Sequence, residues 1–93
     1  MRRIERTKAF KRDYEREKAG PHRLRLDEML AAAVTALALD EPLPPSSHDH
    51  RLSGTWQDCR ECHLKPDLLL VYRKPDAETL QLVRLGSHSE LFG

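Results

Sequence analysis

The sequence predicts an α+β fold: an N-terminal strand, two helices, and then an antiparallel meander packed on the helices. Three observations carry that prediction. Leu26, Met29, Leu30, Ala33, Val34 and Leu37 fall at offsets of 0, 3, 4, 7, 8 and 11, which is the spacing of one helical face. Pro42, Pro44 and Pro45 then remove backbone donors and force extended chain, so no helix continues past them. Beyond the prolines, three runs rich in aliphatic and aromatic residues are separated by Pro-Asp turns, the signature of short antiparallel strands. A chain of 93 residues supports one small core, so a single domain over 1–93 is expected.

Taken in order, Arg2 to Arg6 is a short strand entering the sheet from one edge, with Ile4 its only aliphatic residue. Thr7 is placed to cap a helix that runs to about Lys18, with Phe10 and Tyr14 four apart on a narrow apolar stripe among charges. Gly20-Pro21 breaks that helix, and the second, more strongly periodic one runs to about Leu39. Residues 41–47 form a Pro-rich loop. The strands are Cys59 to Leu64, Leu68 to Arg73 and Thr79 to Leu85, turning at Lys65-Pro66-Asp67 and Lys74-Pro75-Asp76-Ala77. Leu68-Leu69-Leu70-Val71-Tyr72 is apolar without alternation, so it reads as the central strand, covered on both faces.

Composition narrows the function classes. No run is long and apolar enough to span a bilayer, and the charged N-terminus has no apolar stretch behind it, so a cytoplasmic protein is expected. Net charge is only +1, yet residues 1–26 hold ten Lys/Arg against four Asp/Glu and the remainder six against eleven. Such a cationic block suits either a polyanionic partner or a solvated helix. With only two cysteines and a reducing compartment expected, the fold is not expected to rest on a disulfide framework.

The chemistry-bearing residues lie in the second half of the chain. Four of five histidines follow Ser47, and His is the side chain that exchanges a proton near neutral pH. His48-Asp49-His50 rides on the loop after the prolines. His63 and Asp67 bracket a hairpin turn, which brings an imidazole and a carboxylate to one end of the sheet. Their simpler reading is a strand histidine and a turn-forming Asp. Arg84 ends the last strand just before Gly86, where it reaches a phosphate if the strand twists outward, whereas strict alternation puts it on the face of Leu80 and Leu82 at the core edge. Trp56 reads as a core plug. Phe92, near the C-terminus, divides evenly between packing and stacking on a base. Cys59-Arg60-Glu61-Cys62-His63 matches the spacing of covalent haem attachment, but no export signal or axial ligand accompanies it. Cys59, Cys62 and histidines such as His63 could be zinc ligands on paper. On a strand, however, residues three apart point to opposite faces, so packed thiols are the stronger reading.

In order, Asp49-His50-Arg51-Leu52-Ser53-Gly54-Thr55-Trp56, Arg60-Glu61-Cys62-His63-Leu64-Lys65-Pro66-Asp67-Leu68-Leu69-Leu70-Val71-Tyr72 and Arg84-Leu85-Gly86-Ser87-His88-Ser89-Glu90-Leu91-Phe92-Gly93 resemble the RelE/ParE superfamily of bacterial type II toxins, specifically its YafQ-like mRNA interferases. Several blocks in fixed order are more selective than any one of them. The resemblance implies a RelE-like fold and a ribosome-dependent endoribonuclease that needs no metal and no cofactor. It also implies a cognate antitoxin that silences the toxin in a hetero-oligomer, with ribosome and mRNA as further partners and no membrane. By residue it implies His88 as general acid, Arg84 as phosphate clamp, Asp67 with His63 or His50 as the base system, and Phe92 as a nucleobase stack, with Arg60 and Lys65 as substrate contacts. The alternatives are a toxin or binding module of the same fold without RNase activity, and a metal-binding protein through Cys59, Cys62 and His63.

Overall fold

The computed structural model describes residues 1–93 and has the expected α+β architecture. The elements are β1 Arg3–Arg6, α1 Lys8–Lys18, α2 Leu26–Ala38, β2 His50–Arg51, β3 Arg60–Lys65, β4 Leu68–Arg73, β5 Thr79–Gly86 and α3 His88–Phe92. They build one sheet in the order β1-β5-β4-β3-β2. The meander β3-β4-β5 is antiparallel, as its turns require, and β1 adds to the β5 edge in parallel, with Arg3 opposite Thr79 and Arg6 opposite Leu82. The sheet is therefore mixed.

Thr7 ends β1 and starts α1. Its hydroxyl accepts from the Phe10 backbone N–H at 2.9 Å and donates to the Val83 carbonyl at 2.8 Å, so one side chain caps the helix and ties it to β5. Such a cap contributes about 1 kcal/mol. α1 and α2 cover one face of the sheet, where Phe10, Leu26, Leu37 and Ala38 meet Cys62, Leu68, Leu70, Tyr72, Leu80, Leu82 and Leu85. The opposite face carries a smaller cluster of Cys59, Leu69, Val71 and Leu91, flanked by Leu52, Trp56 and Val83. All of Leu68 to Tyr72 is buried, as expected of a central strand covered on both sides.

Two elements and one irregularity were not anticipated. The histidine loop contributes the two-residue strand β2, with His50 opposite Glu61. The C-terminus is a short helix rather than a tail: the Ser87 hydroxyl accepts from the Glu90 N–H, and the Glu90 carboxylate accepts from the Ser87 N–H, a reciprocal capping box. In β5 the register slips, Val71 pairing with Arg84 but Tyr72 with Leu82. This bulge ends the strict alternation on which the Arg84 reading depended. No helix is long and apolar enough to cross a membrane.

Candidate active site

Strand alternation puts Glu61 and His63 on the face of the sheet opposite α1 and α2. Cross-strand pairing sets His50 beside Glu61, and the turn at Gly86 swings α3 over the same face so that His88 arrives from above. The Nε2 atoms of His88, His63 and His50 lie 3.4, 3.6 and 3.8 Å from one atom, Glu61 Oε2. Glu61 is 1% exposed, and this oxygen has no hydrogen-bond partner. A buried carboxylate oxygen without a hydrogen bond is uncommon, and this one faces three imidazoles.

The imidazoles differ in access. The His50 and His88 side chains are 54% and 61% exposed, whereas His63 is 18% exposed. His50 Nδ1 lies 2.8 Å from the His48 carbonyl. A carbonyl only accepts, so Nδ1 carries the hydrogen, and in the neutral ring Nε2 is left with a lone pair facing the site. His48 holds that carbonyl in place from a left-handed backbone conformation, φ 47°. Neighbouring rings follow one another through the site: His48 to His63 at 5.5 Å, His63 to His88 at 5.9 Å, His88 to Phe92 at 5.8 Å and Phe92 to Trp56 at 5.4 Å. A cleft of about 440 Å³ borders the row, lined by Ser46, Ser47, His48, His63 and Lys65 among others.

Of the residues singled out in the sequence, His50, His63 and His88 converge, with Phe92 beside them and Lys65 in the bordering cleft. Asp67, Arg84 and Arg60 do not join them. Asp67, expected in the base system, projects from the β3–β4 turn, 71% exposed, and pairs with His22 of the α1–α2 loop at 3.2 Å. The carboxylate among the imidazoles is Glu61. Sequence reasoning missed it, although its two-residue spacing from His63 was a usable signal. Arg84, expected as the phosphate clamp, is held by Asp13 of α1, Nε to Oδ2 at 2.7 Å and Nη2 to Oδ1 at 3.1 Å. Arg60 alternates with Glu61, and so turns to the helix face, where Asp49 takes its Nε at 3.2 Å and the Tyr72 hydroxyl at 2.7 Å.

The thiols lie apart. Cys62 is in the helix-side core and Cys59 in the opposite cluster, so the two cannot chelate together. Burial pushes the Cys62 thiol up to about 12, with the Asp49 and Glu61 charges adding to the effect, so it is a protonated packing group.

The structure is thus a small mixed sheet with two helices on one face and a histidine–carboxylate cluster on the other. Residues 2–93 match the family described as bacterial toxin of type II toxin-antitoxin system, YafQ, and the chain belongs to that family. It is similar to the mRNA interferase toxin YafQ of Escherichia coli K12, 42% identical over 52 residues, 56% of this chain and 55% of that protein. The chain thus matches about half the length of that curated relative. The crystal structure of YafQ from E. coli BL21(DE3) superimposes over 100% of both chains with a TM-score of 0.86 at 30% identity. The metal-bound toxin from Helicobacter pylori is 47% identical over 99% of this chain and 100% of its own, TM-score 0.82. No group of three or more His, Cys, Asp or Glu side chains in this chain has the disposition of a metal site.

Proposed function

We propose that this chain is an mRNA interferase: a toxin that cleaves mRNA on the ribosome by metal-free acid–base chemistry and is neutralised by a cognate antitoxin. The observation that carries the reading is the convergence of three imidazoles on one buried carboxylate beside an exposed phenyl ring. The E. coli relatives are named mRNA interferase toxins, and one solved relative is the E. coli DinJ-YafQ complex, similar over 100% of both chains at a TM-score of 0.81 and 29% identity.

In this reading the ribose 2′-OH attacks the adjacent 3′-phosphate. His50 Nε2 takes its proton, the P–O5′ bond breaks, and His88 donates a proton to the departing 5′-oxygen. The products are a 2′,3′-cyclic phosphate and a 5′-hydroxyl. His63, its ring 5.9 Å from that of His88, and Glu61, which all three imidazoles face, keep the acid and the base aimed at one phosphate. Phe92 stacks on a base next to the cut, and Lys65 meets a neighbouring phosphate. Arg84 acts as clamp only by exchanging Asp13 for the phosphorane, and Asp13 would then keep Arg16 at 3.0 Å and the Leu85 N–H at 2.9 Å. Ribosome dependence follows from the sparse set of groups, because positioning by the ribosome then supplies much of the rate.

The test is cleavage by the purified chain of an mRNA held on programmed ribosomes, compared with the same RNA free. Cuts on the ribosome with cyclic-phosphate ends and weak cutting of free RNA are expected. Equal cutting of both removes ribosome dependence, and no cutting of either with the fold intact leaves a same-fold module without RNase activity.

A further inference from the structure

α3 carries two of the proposed groups, His88 and Phe92, on five residues with one buried side chain, Leu91. A helix that short does not hold itself. What fastens it is an arginine on α1. Arg16 Nη2 donates to the Leu85 carbonyl at 2.7 Å, Nε lies 3.2 Å from Glu90 Oε2 and 3.1 Å from Glu17 Oε2, and Nη1 meets Asp13 Oδ1 at 3.0 Å. The approach depends on Gly86, because a Cβ there would lie 2.6 Å from Arg16 Nη2. Glu90 is shared: Oε1 closes the capping box on the Ser87 N–H at 2.9 Å, while Oε2 faces Arg16.

We propose that Arg16 is a positioning residue for the cleavage site: by joining the end of β5 to Glu90 it fixes α3, so that His88 meets Glu61 and Phe92 meets Trp56. This deepens the nuclease reading and rests on it for its catalytic consequence. The Arg16 side chain is 40% exposed, so solvent screens its ion pairs. Its contribution is orientation more than stability.

Trp56 is the only tryptophan, and its ring lies 5.4 Å from Phe92 in a T-shaped contact, so its fluorescence reports α3 docking without any substrate. Two variants separate the grip from the cap. Arg16→Ala removes the grip. Glu90→Gln keeps an Oε1 acceptor for the Ser87 N–H but gives up the charge that faces Arg16. Both are expected to raise acrylamide quenching of Trp56 and to shift the His88 imidazole NMR signals while the amide signals of the sheet stay in place. On programmed ribosomes, Arg16→Ala is expected to lower the single-turnover rate by about 10²-fold at unchanged half-saturation, the scale of a misplaced catalytic group, with Arg16→Lys restoring part of it.

Unaltered quenching and unaltered His88 signals in both variants overturn the proposal. So does a rate loss that appears wholly as weaker ribosome binding. If Arg16→Ala does not fold, Glu90→Gln decides the matter by the same two spectroscopic signals. Should the spectra change as expected while the wild-type chain cuts no mRNA, the grip on α3 stands and the nuclease reading falls.

Discussion

Glu61 defines the site at the residue scale. A carboxylate oxygen buried without a hydrogen bond is a cost of about 1–3 kcal/mol, and the fold carries it directly beneath three imidazoles. Replacing it with a neutral amide of the same shape is therefore expected to separate stability from activity. Glu61→Gln should melt as well as the wild type or up to several degrees higher, yet cleave more slowly, since about 1 kcal/mol moves Tm by 4–8 °C in a domain of this size. A lower Tm with unchanged cleavage would show Glu61 to be structural. His88 offers the complementary case. Its side chain is 61% exposed, so His88→Ala should keep the wild-type Tm in a thermal melt, while loss of a general acid typically costs about 10²–10⁴ in cleavage rate.

Asp13 and Arg84 make the corresponding argument for how elements are joined. Burial alone would raise the Asp13 carboxyl, but Arg84, the Leu85 N–H and Arg16 outweigh it and hold the pKa below its ordinary value. A depressed carboxylate adds stability that is present above its unfolded pKa, about 3.9, and is lost as pH falls through the folded value. Urea unfolding at pH 7 and pH 3 is thus expected to show a drop in the wild type that shrinks in Asp13→Asn. Arg84→Ala should lose about 1–3 kcal/mol at pH 7, because it strips one partner from a buried carboxylate that keeps two others. An Arg84→Ala variant as stable as the wild type would return the residue to the role of a free phosphate clamp.

These contacts also mark where the sequence stops being informative. α2 was legible because it is long enough to display its period, β3, β4 and β5 because their aliphatic and aromatic runs stand between Pro-Asp turns, and Thr7 because a cap is a local matter. The bulge at Arg84 was not, since nothing near Val83 announces an extra residue. β2 is two residues long and exists only because β3 is beside it. α3 was missed although Ser87 and Glu90 carry its capping box, because five residues leave no period to read. The histidines of the site were visible as residue types, whereas their carboxylate partner depended on which strand face each side chain took. For the same reason the partners of Asp67 and Arg60, His22 and Asp49, were not legible: a turn sets the one and strand alternation the other.

For the whole molecule, the uneven charge becomes a surface. Of the ten basic residues in 1–26, Lys8, Lys11 and Arg12 lie exposed on α1 and take part in none of the ion pairs, while Arg16 and Lys18 are engaged. Unpaired cations on one helix favour a flexible acidic chain, which pays its ordering cost on binding and is drawn in by the field. The expected partner is an antitoxin with such a segment, encoded beside the toxin. Reversing Lys8, Lys11 and Arg12 to Glu should slow association with the co-expressed antitoxin by about 10-fold or more at low salt, and the difference should narrow as the Debye length falls from about 10 Å at 0.1 M toward 3 Å at 1 M. Stopped-flow association across that salt range measures it. Ribosome-bound mRNA should still be cut by the triple variant, because α1 lies across the sheet from Glu61 and its imidazoles. If cutting fails while antitoxin association is unchanged, the cationic face of α1 serves RNA, and the antitoxin must dock elsewhere.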